Sequence, residues 1–226
     1  MNIAPPNPFH RLLPNFQRLY IFGAGGFGRE VAWLAEQALG DSVELVFLVD
    51  QPEYMSDPIN GIPVQLLSEI NSSIEARFVI ALGNPARRRI IESTCRQCDH
   101  LPTTLIHPRA EISQWVKIGN GSILCAGVII TTNVNIEPHV HINLDCTIGH
   151  DVSIGEFSTL SPGVHVSGNV QIGCSVFIGT GACIINGKPG SPLLIGNGAV
   201  IAAGACVTGS VDAGALVAGV PATRKR

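Results

Sequence analysis

GHDVSIGEFSTLSPGVHVSGNVQIG, residues 149–173, carries an aliphatic residue at every sixth position. The same spacing continues outward from this stretch, without a break, from Ile112 to Ile184. The residues on this ladder are Ile112, Ile118, Leu124, Ile130, Ile136, Ile142, Ile148, Ile154, Leu160, Val166, Ile172, Ile178 and Ile184. A period of six fits neither a helix of about 3.6 residues per turn nor a strand that alternates in steps of two. It is typical of a parallel β-helix, in which three hexads form one triangular coil.

The repeat is interrupted once, after Ile184. The next aliphatic ladder positions are Ile195, Ile201 and Val207, so NGKPGSPL (residues 186–193) is predicted to protrude as a loop. The second domain is predicted to cover residues 109–226 as a β-helix with a basic C-terminal tail. Because the flat faces of such a coil are commonly buried by other copies of the chain, we expect a homotrimer.

The preceding segment, residues 18–108, alternates apolar strands with helical patterns. RLYIF (18–22), VELVFLVD (43–50) and RFVIALG (77–83) are predicted to be strands separated by helices. This alternation corresponds to about half of a doubly wound α/β domain. The predicted fold class is therefore an α/β, Rossmann-like half domain followed by a β-helix. Residues 1–17, which are rich in proline, are predicted to form a flexible N-terminal arm.

The turn after the first predicted strand has the pattern Gly23-x-Gly25-x-x-Gly28, and Asp50 ends the second strand. Glycines in such a turn let the backbone approach a phosphate at a helix N-terminus, and the acid can bind ribose hydroxyls. The motif alone is compatible with a nucleotide sugar, a dinucleotide or a purely structural turn. A nucleotide sugar is favoured, because the chain continues into a solenoid instead of completing a six-stranded dinucleotide-binding sheet.

A second candidate for ligand binding follows the third predicted strand. Gly83 and Asn84 end that strand, and Arg88 lies one turn into the next predicted helix. Ligands of parallel α/β sheets bind at the carboxyl ends of the strands. Arg88 is therefore predicted to contact a phosphate or base, and the alternative is that the run 87–89 is a solvated arginine cluster.

The composition restricts the possible partners and compartment. The chain of 226 residues has 14 basic and 17 acidic side chains, a net charge of −3, which argues against binding to nucleic acid or anionic membranes. No apolar run approaches the ~20 residues of a membrane span, and the N-terminus has no apolar signal core. Seven cysteines, an odd number, fit free buried thiols in a reducing compartment. We expect a cytoplasmic protein with no membrane insertion.

The ladder places His150 at a corner of the coil, two residues beyond Ile148. Asp151 follows it directly, and a carboxylate beside an imidazole fixes the tautomer of the ring. Gly168 lies one coil, eighteen residues, further along, and its N–H can face a substrate oxygen. The corner thus combines a candidate general base with a candidate oxyanion donor. The alternative is a surface histidine beside a surface aspartate.

Three further histidines, His139, His141 and His165, lie in the same part of the ladder. By the count of eighteen residues per coil, none of the four histidines shares a column with another. A zinc site of the kind found in trimeric β-helix carbonic anhydrases needs converging histidines. We therefore expect no metal.

The Gly-rich turn, residues 149–173 and the closing GVPA (219–222) together resemble the bacterial sugar O-/N-acyltransferase family, over about residues 18–224. Its members include nucleotide-linked 4-amino-sugar N-acetyltransferases and proteins named sialic acid O-acetyltransferases. The resemblance implies an N-terminal domain that holds a nucleotide sugar, a left-handed β-helix that binds acetyl-CoA, and a trimer.

The resemblance also implies roles for individual residues. His150 matches the general base, Asp151 the acidic residue after it, and Asn143 an asparagine near the acceptor. Gly168 matches the glycine whose N–H meets the acetyl carbonyl. Backbone contacts to the pantetheine of the cofactor are implied at Thr180 and Ala203. The implied nucleotide-binding positions are Gly25, Gly26, Phe27, Gly28, Asp50, Gly83 and Arg88.

The chain departs from the family pattern at three places. Thr159 stands where some members have a second histidine, and Phe27 stands where some have a histidine in the turn. Residues 187–191 resemble an insertion near the cofactor groove. Lys188 in this insertion is predicted to contact CoA phosphates, and the alternative is a solvated loop lysine.

Together these observations predict an acetyl-CoA-dependent N-acetyltransferase for the amino group of a nucleotide-diphospho-4-amino sugar in bacterial glycan biosynthesis. The amine is expected to attack acetyl-CoA directly, with His150 as general base. The sequence leaves open whether the nucleotide is UDP, GDP or dTDP. Two alternatives also remain: O-acetylation of a sugar hydroxyl, such as that of sialic acid, and a non-enzymatic, nucleotide-binding trimeric scaffold.

Overall fold

The computed structural model describes residues 15–70, 75–97 and 100–225. Its first part is a five-stranded parallel sheet with the strand order β3-β2-β1-β4-β5. The strands are β1 (Arg18–Phe22), β2 (Glu44–Val49), β3 (Val64–Leu66), β4 (Ala76–Ile80) and β5 (Leu101–Pro102). The helices are α1 (Gly26–Leu39) and α2 (Pro85–Gln97), with 3-10 turns at Gly40–Ser42, Pro52–Tyr54 and Leu67–Glu69. Successive strands are added on one side of β1 up to β3, and on its other side from β4 onward. Ligands of such sheets bind at this switch point, between β1 and β4.

Both sides of this sheet are covered, because its central strands are continuous apolar runs. On one side, Leu19 and Ile21 of β1 pack with the stripe of α1 that contains Val31 and Leu34. On the other side, the alternate residues of β1 pack in a cluster that includes Ile91 of α2. The sheet is therefore the middle layer of a three-layer domain.

The second part is a parallel β-helix with three flat faces. Face I contains β6 (Leu105–Ile106), β9 (Ile123–Leu124), β12 (His141–Ile142), β15 (Thr159–Leu160), β18 (Phe177–Ile178), β21 (Val200–Ile201), β23 (Leu216–Ala218) and the antiparallel β24 (Thr223–Arg224). Face II contains β7 (Glu111–Ile112), β10 (Ile129–Ile130), β13 (Thr147–Ile148), β16 (His165–Val166), β19 (Cys183–Ile184) and β22 (Cys206–Val207). Face III contains β8 (Lys117–Ile118), β11 (Asn135–Ile136), β14 (Ser153–Ile154), β17 (Val170–Ile172) and β20 (Leu193–Ile195).

The period-six ladder forms the interior of this coil, as the sequence predicts. On face II, Ile148 is in register with Val166, one coil of eighteen residues away. One continuous apolar cluster runs from Ala110 to Val217 and contains the inward residues of all three faces. Because inward and outward positions alternate along each strand, the residue before each ladder position faces out of the coil.

The corners of the coil adopt the left-handed backbone conformation. The residue three positions after a ladder residue has a positive φ at glycines such as Gly163 and Gly181, and also at Asp151. Glycine, asparagine and aspartate tolerate this conformation, but bulky residues do so at a cost. His139 (φ 59°) and Phe157 (φ 58°) are bulky exceptions, and their rings stack at 4.9 Å. These two residues lie where the α/β domain packs against the coil.

The α/β domain covers face I of the β-helix. Helix α1 lies toward the corner between faces I and II, where its apolar cluster includes Cys125 and Leu144. Helix α2 lies toward the corner between faces III and I, where Arg89 pairs with Glu156 at 2.7 Å. The corner between faces II and III is opposite face I, and the α/β domain therefore does not cover it.

The domain boundaries differ slightly from the predicted ones. The last strand of the α/β sheet ends at Pro102, and the first strand of face I begins at Leu105, so the coil begins before residue 109. Most of the predicted N-terminal arm, residues 1–14, lies outside the described residues. Its end belongs to the α/β domain, since Phe16 is buried and the Gln17 N–H donates to the carbonyl of Glu75 at 2.9 Å.

The interruption in the ladder is an exposed loop, as predicted. Ile172 of face III is in register with Ile195, so this coil is five residues longer than the regular coils of eighteen residues. The extra residues form a turn in which Lys188 and Ser191 exchange backbone hydrogen bonds of 3.0 and 2.9 Å. The loop leaves the coil at the corner between faces II and III.

Candidate active site

The corner between faces II and III brings His150 and Asp151 together. The ring atom Nδ1 of His150 lies 2.8 Å from Oδ2 of Asp151, and the His150 side chain is 55% exposed. Asp151 is in the left-handed conformation (φ 57°). One coil below, the amide of Asn133 donates to the other carboxylate oxygen at 3.3 Å. The carboxylate is thus held from two sides.

This arrangement defines the tautomer of His150. A carboxylate only accepts hydrogen bonds, so Nδ1 of the ring carries the proton that Asp151 binds. The lone pair of the neutral ring is then on Nε2, the atom that points away from the carboxylate. Hydrogen bonds from His150 and then from Asn133 lower the pKa of the Asp151 carboxyl below its usual value. The pair is ready to take up a proton at Nε2.

Gly168 lies directly above His150 in the next coil. A Cβ atom at this glycine would lie 2.5 Å from Nε2 of His150 and 2.6 Å from Cε1, so a side chain here would collide with the ring. Within the part of the chain that the structure describes, the N–H of Gly168 donates to no acceptor. An unpaired backbone donor beside an unpaired imidazole nitrogen can stabilise an oxyanion while the nitrogen removes a proton.

A separate cleft of about 310 Å³ lies at the switch point of the α/β sheet. We call it the switch-point cleft, and its lining includes Gly23, Gly25, Asp50, Tyr54, Ile59 and Arg87. Its volume lies near the lower end of the range that small-molecule pockets occupy. It opens beside the N-terminus of α1, where backbone N–H groups favour an anion.

The glycines of the turn have different roles. Gly28 is needed for packing, because a Cβ atom there would lie 1.9 Å from the carbonyl oxygen of Gly23. Gly23 is needed for the turn itself, since its φ is +106°. Gly25 and Gly26 have neither a positive φ nor a neighbour within 4 Å of a built Cβ. The fold does not require glycine at these two positions, whereas close approach of a phosphate does.

Arg87 and Tyr54 are cleft residues that the sequence analysis missed. The Arg87 guanidinium binds both carboxylate oxygens of Asp50, at 2.9 and 3.1 Å. The hydrogen bond and charge of Asp50 raise the pKa of Arg87. The arginine run at 87–89 and the acid at the end of β2 were the available signals. The sequence alone does not show which arginine of the run faces the cleft.

The structure corrects the position predicted for Arg88. Its side chain is fully buried, and Nη1 donates to the Leu82 carbonyl at 2.8 Å and to Oγ1 of Thr159 at 2.9 Å. Its other terminal nitrogen donates to the carbonyl of Phe157. Burial lowers the pKa of Arg88 to about 9. Arg88 therefore bridges the α/β domain and face I, and it does not line the switch-point cleft.

Other predicted substrate residues lie around this cleft or between the domains. Asn84 accepts the Arg87 N–H at 3.0 Å through Oδ1 and so caps α2, and the carbonyl of Gly83 accepts from Arg88. Phe27 leaves the turn and packs against His141, with ring centres 5.3 Å apart. The structure therefore brings Gly25 and Asp50 together in the cleft but places Phe27 at the domain interface.

The predicted acceptor and cofactor residues occupy two different corners. Asn143, Thr180 and Ala203 lie at the end of face I toward face II, and the Asn143 amide donates to the Leu160 carbonyl at 2.7 Å. Lys188 lies on the exposed loop above Gly168, on the corner that carries His150. One chain therefore presents its predicted site residues in two groups that the width of face II separates.

Among residues 15–70, 75–97 and 100–225, no cluster of three or more His, Cys, Asp or Glu side chains has an arrangement that could hold a metal ion. Neither described α-helix combines the length and apolarity needed to cross a membrane.

Comparisons with known proteins match both parts of the chain. Residues 18–94 match the family model described as the PglD N-terminal domain. The chain is 35% identical to a GDP-perosamine N-acetyltransferase of Escherichia coli O157:H7 over 208 residues, which cover 89% of this chain and 93% of that protein.

Two solved structures extend the similarity to the fold. WeeI from Acinetobacter baumannii AYE is 33% identical, with a TM-score of 0.86, over 92% of this chain and 99% of that one. The acetyltransferase domain of PglB from Neisseria gonorrhoeae FA1090, in complex with acetyl coenzyme A, is 33% identical with a TM-score of 0.81 over the same shares. These matches confirm the predicted α/β half domain followed by a left-handed β-helix.

Proposed function

Because this chain belongs to the bacterial sugar N-acyltransferase family, we propose that it transfers the acetyl group of acetyl-CoA to the amino group of a nucleotide-diphospho-4-amino sugar. The pairing of His150 with Asp151 beneath the unpaired N–H of Gly168 is the observation that carries this proposal. It supplies a base and an oxyanion donor within one coil of each other.

In the proposed reaction, Nε2 of His150 accepts the proton of the attacking amine, directly or through a water molecule. The amine nitrogen forms a bond to the thioester carbonyl carbon, and the Gly168 N–H stabilises the resulting oxyanion. The carbon–sulfur bond then breaks, and CoA leaves as a thiolate that is protonated by His150 or solvent. No acyl-enzyme forms. Asp151 keeps the proton of the neutral ring on Nδ1 and stabilises the ring when it becomes charged.

The nucleotide is proposed to bind in the switch-point cleft with its pyrophosphate over Gly25 and Gly26. Asp50 would accept hydrogen bonds from ribose hydroxyls. These bonds would replace the ones that Asp50 accepts from Arg87 when no ligand is bound. A GDP-linked amino sugar is the first substrate to test, because the curated relative at 35% identity is a GDP-perosamine N-acetyltransferase. Thr180 and Ala203 are proposed to contact the pantetheine of acetyl-CoA, and Lys188 its phosphates.

We propose that the working enzyme is a homotrimer whose active sites lie between chains. The α/β domain covers face I, and Asn143, Thr180 and Ala203 lie on its face II side. His150 lies at the corner opposite face I, so a chain points its own base away from its own switch-point cleft. A neighbouring copy that docks its II/III corner beside this cleft would complete the site, and a head-to-tail contact of this kind closes into a ring.

The proposed location is the cytoplasm. Cys125 and Cys146 are buried free thiols, and burial raises the pKa of Cys125 to about 12 and that of Cys146 to about 11. Such unreactive thiols persist in a reducing compartment. Fractionation of cells that express the tagged protein checks this location, and recovery in an oxidising compartment would contradict it.

A thiol-release assay tests the activity. Acetyl-CoA is mixed with the enzyme and, in separate reactions, GDP-, UDP- and dTDP-linked amino sugars and free sialic acid. We expect stoichiometric thiol and N-acetyl product with at least one nucleotide-linked amino sugar. Turnover of sialic acid alone would favour O-acetylation. Tight nucleotide binding without thiol release from any acceptor would favour a non-enzymatic scaffold.

A further inference from the structure

A second concave surface lies on the other side of the Gly-rich turn. This α1 hollow, of about 460 Å³, is lined by Gly26, Arg29, Glu30, Trp33 and Asn60. It meets the switch-point cleft across two peptide units, because Gly25 and Ile59 line the cleft while the next residues, Gly26 and Asn60, line the hollow. The two concavities therefore lie next to each other at the N-terminus of α1.

We propose that the α1 hollow binds the sugar ring of the nucleotide sugar and that Trp33 and Glu30 select that sugar. This inference rests on the proposed function, since it assumes a nucleotide-sugar substrate. A nucleoside diphosphate sugar is a linear ligand with a nucleoside at one end, a pyrophosphate in the middle and a sugar at the other end. With the nucleoside in the cleft and the pyrophosphate over Gly25 and Gly26, the sugar extends into the hollow.

The glycines at the junction support this path. The space above Gly25 and Gly26 is open, with no atom within 4 Å of a built Cβ at either position. Helix α1 has no side-chain cap at Gly25 and no acidic residue in its first turn, so its N–H groups remain available to an anion. Arg29 lies one turn further along the same helix, at the wall of the hollow, and adds a positive charge near this point.

Trp33 provides an aromatic wall that the fold does not need for its core. Its side chain is 44% exposed, although tryptophan is usually well buried. The indole packs on His107, with ring centres 5.0 Å apart, and Nδ1 of His107 accepts the N–H of Arg109 at 3.0 Å. The ring thus contacts His107 while nearly half of the residue's surface remains exposed. An exposed aromatic surface can pack against the C–H groups of a sugar ring.

Glu30 and Asn60 provide the polar contacts that a sugar requires. Within the described ranges, the Glu30 carboxylate and the Arg29 guanidinium make no hydrogen bond or ion pair. Asn60 lines the hollow and has a left-handed backbone (φ 52°) next to Gly61. Carboxylate and amide groups beside an apolar ring are the combination that fixes the orientation of a hydroxylated ligand.

The hollow also lies on the correct side of the molecule for the proposed reaction. His107, which supports Trp33, follows face I at the same strand end as Asn143, two coils below it. The hollow, Asn143 and the proposed cofactor residues Thr180 and Ala203 therefore share the side of the coil between faces I and II. A sugar in the hollow would present its amine to the place where a neighbouring chain brings His150.

The test compares a kinetic constant for the whole substrate with a binding constant for its nucleotide part, both measured on full-length variants. For Trp33→Ala and Glu30→Gln, the KM for the nucleotide amino sugar that the wild type acetylates is measured beside the Kd for the free nucleoside diphosphate. We expect KM to rise about tenfold and the nucleoside diphosphate Kd to change less than about twofold. Ile90→Ala is the control, because Ile90 is a 65% exposed apolar residue on α2, on the opposite side of the sheet from the hollow, and it should leave both values unchanged.

An unchanged KM and unchanged preference among amino-sugar epimers in both variants would overturn the sugar-site inference while leaving the acetyltransferase intact. A wild type that acetylates no nucleotide sugar would instead overturn the proposed function. If Trp33→Ala does not fold, Trp33→Phe decides the role of the ring: it should retain most of the affinity, and a loss of affinity for the free nucleoside diphosphate would contradict the proposal.

Discussion

His150 and His141 both point outward from the same ladder, yet their surroundings are opposite. His150 stands at an uncovered corner, where its ring is more than half exposed and paired with Asp151. His141 stands on face I beneath the α/β domain, where it is 1% exposed and packs against Phe27. The register of a β-helix decides whether a residue points in or out. What covers that position then decides whether the residue is available for chemistry or is part of the structure.

The same contrast appears in the charges of the two regions. Burial lowers the pKa of His139 to about 4 and the pKa of His141 well below its usual value, so both rings are neutral near pH 7. Arg88 lies beside them with a buried guanidinium. The covered face is thus a structural junction of polar groups, whereas the open corner has a hydrogen-bonded pair with a free ring nitrogen.

The largest expected effect comes from removing the exposed ring. His150→Ala should lower kcat by about 10²–10⁴-fold, because general-base help is lost, while the oligomer persists. His165→Ala is the matched control, since His165 is an exposed histidine on face II whose Nδ1 lies 2.8 Å from Oγ1 of Thr147. Steady-state thiol release checks both variants. Full activity of His150→Ala, or equal losses in both variants, would remove His150 from the mechanism.

On the covered side, Arg88→Met should lower the free energy of unfolding by about 3 kcal/mol, because it leaves buried carbonyl and hydroxyl acceptors without their donor. Arg87→Met removes an exposed pair and should cost less than about 1 kcal/mol. Urea denaturation measures the free energy of unfolding of both variants and of the wild type. A smaller loss for Arg88→Met than for Arg87→Met would show that the buried bridge does not hold the two domains together.

The buried histidines predict acid destabilisation. In the folded state the pKa of His139 is about 4, whereas an unfolded histidine has a pKa near 6.5, so the unfolded state binds more protons between these values. The contribution of His139 is complete above about pH 6.5 and is lost as the pH falls toward 4, by about 3 kcal/mol in all. Glu92, Arg88, Arg96 and Glu156 act on this ring in the folded state.

Unfolding free energies measured between pH 7 and pH 4 test this dependence. His139→Asn keeps a residue that tolerates the left-handed backbone and should flatten the pH profile relative to wild type. His165→Asn, at an exposed position, should have the same dependence of unfolding free energy on pH as the wild type. A profile of His139→Asn that is as steep as that of the wild type would assign the acid sensitivity to other groups.

A smaller effect is expected from crowding the exposed ring without removing it. A methyl group in Gly168→Ala would collide with His150, and we expect kcat to fall roughly 10- to 100-fold. Gly209→Ala is the matched control, because Gly209 lies in the same corner column with no atom within 4 Å of a built Cβ. A Gly168→Ala variant with wild-type kcat would show that the stacking of this glycine on His150 is unimportant.

Counting along the sequence predicted the ladder, the corner position of His150 and Asp151, and the stacking of Gly168 above them, because a period-six coil fixes each of these by arithmetic. The same count did not predict that His141 is buried, since that depends on how the α/β domain docks on face I. Arg87 and Arg88 are adjacent and chemically identical, yet one faces the cleft and the other the coil. One step along a helix turns a side chain by about 100°, and only the docked structure gives the direction.

We propose that a chain holds its substrate on one side and its base on another, so that two chains share each active site. Complementation between two inactive variants tests whether the site is shared. His150→Ala lacks the base, and Gly25→Leu should block the phosphate path without disturbing packing, since the space above Gly25 is open. Each variant alone should be nearly inactive. After co-refolding in equal amounts, mixed trimers should recover about a quarter of wild-type thiol release, because that fraction of interfaces joins an intact cleft to an intact base. A mixture as inactive as its components would contradict the shared site.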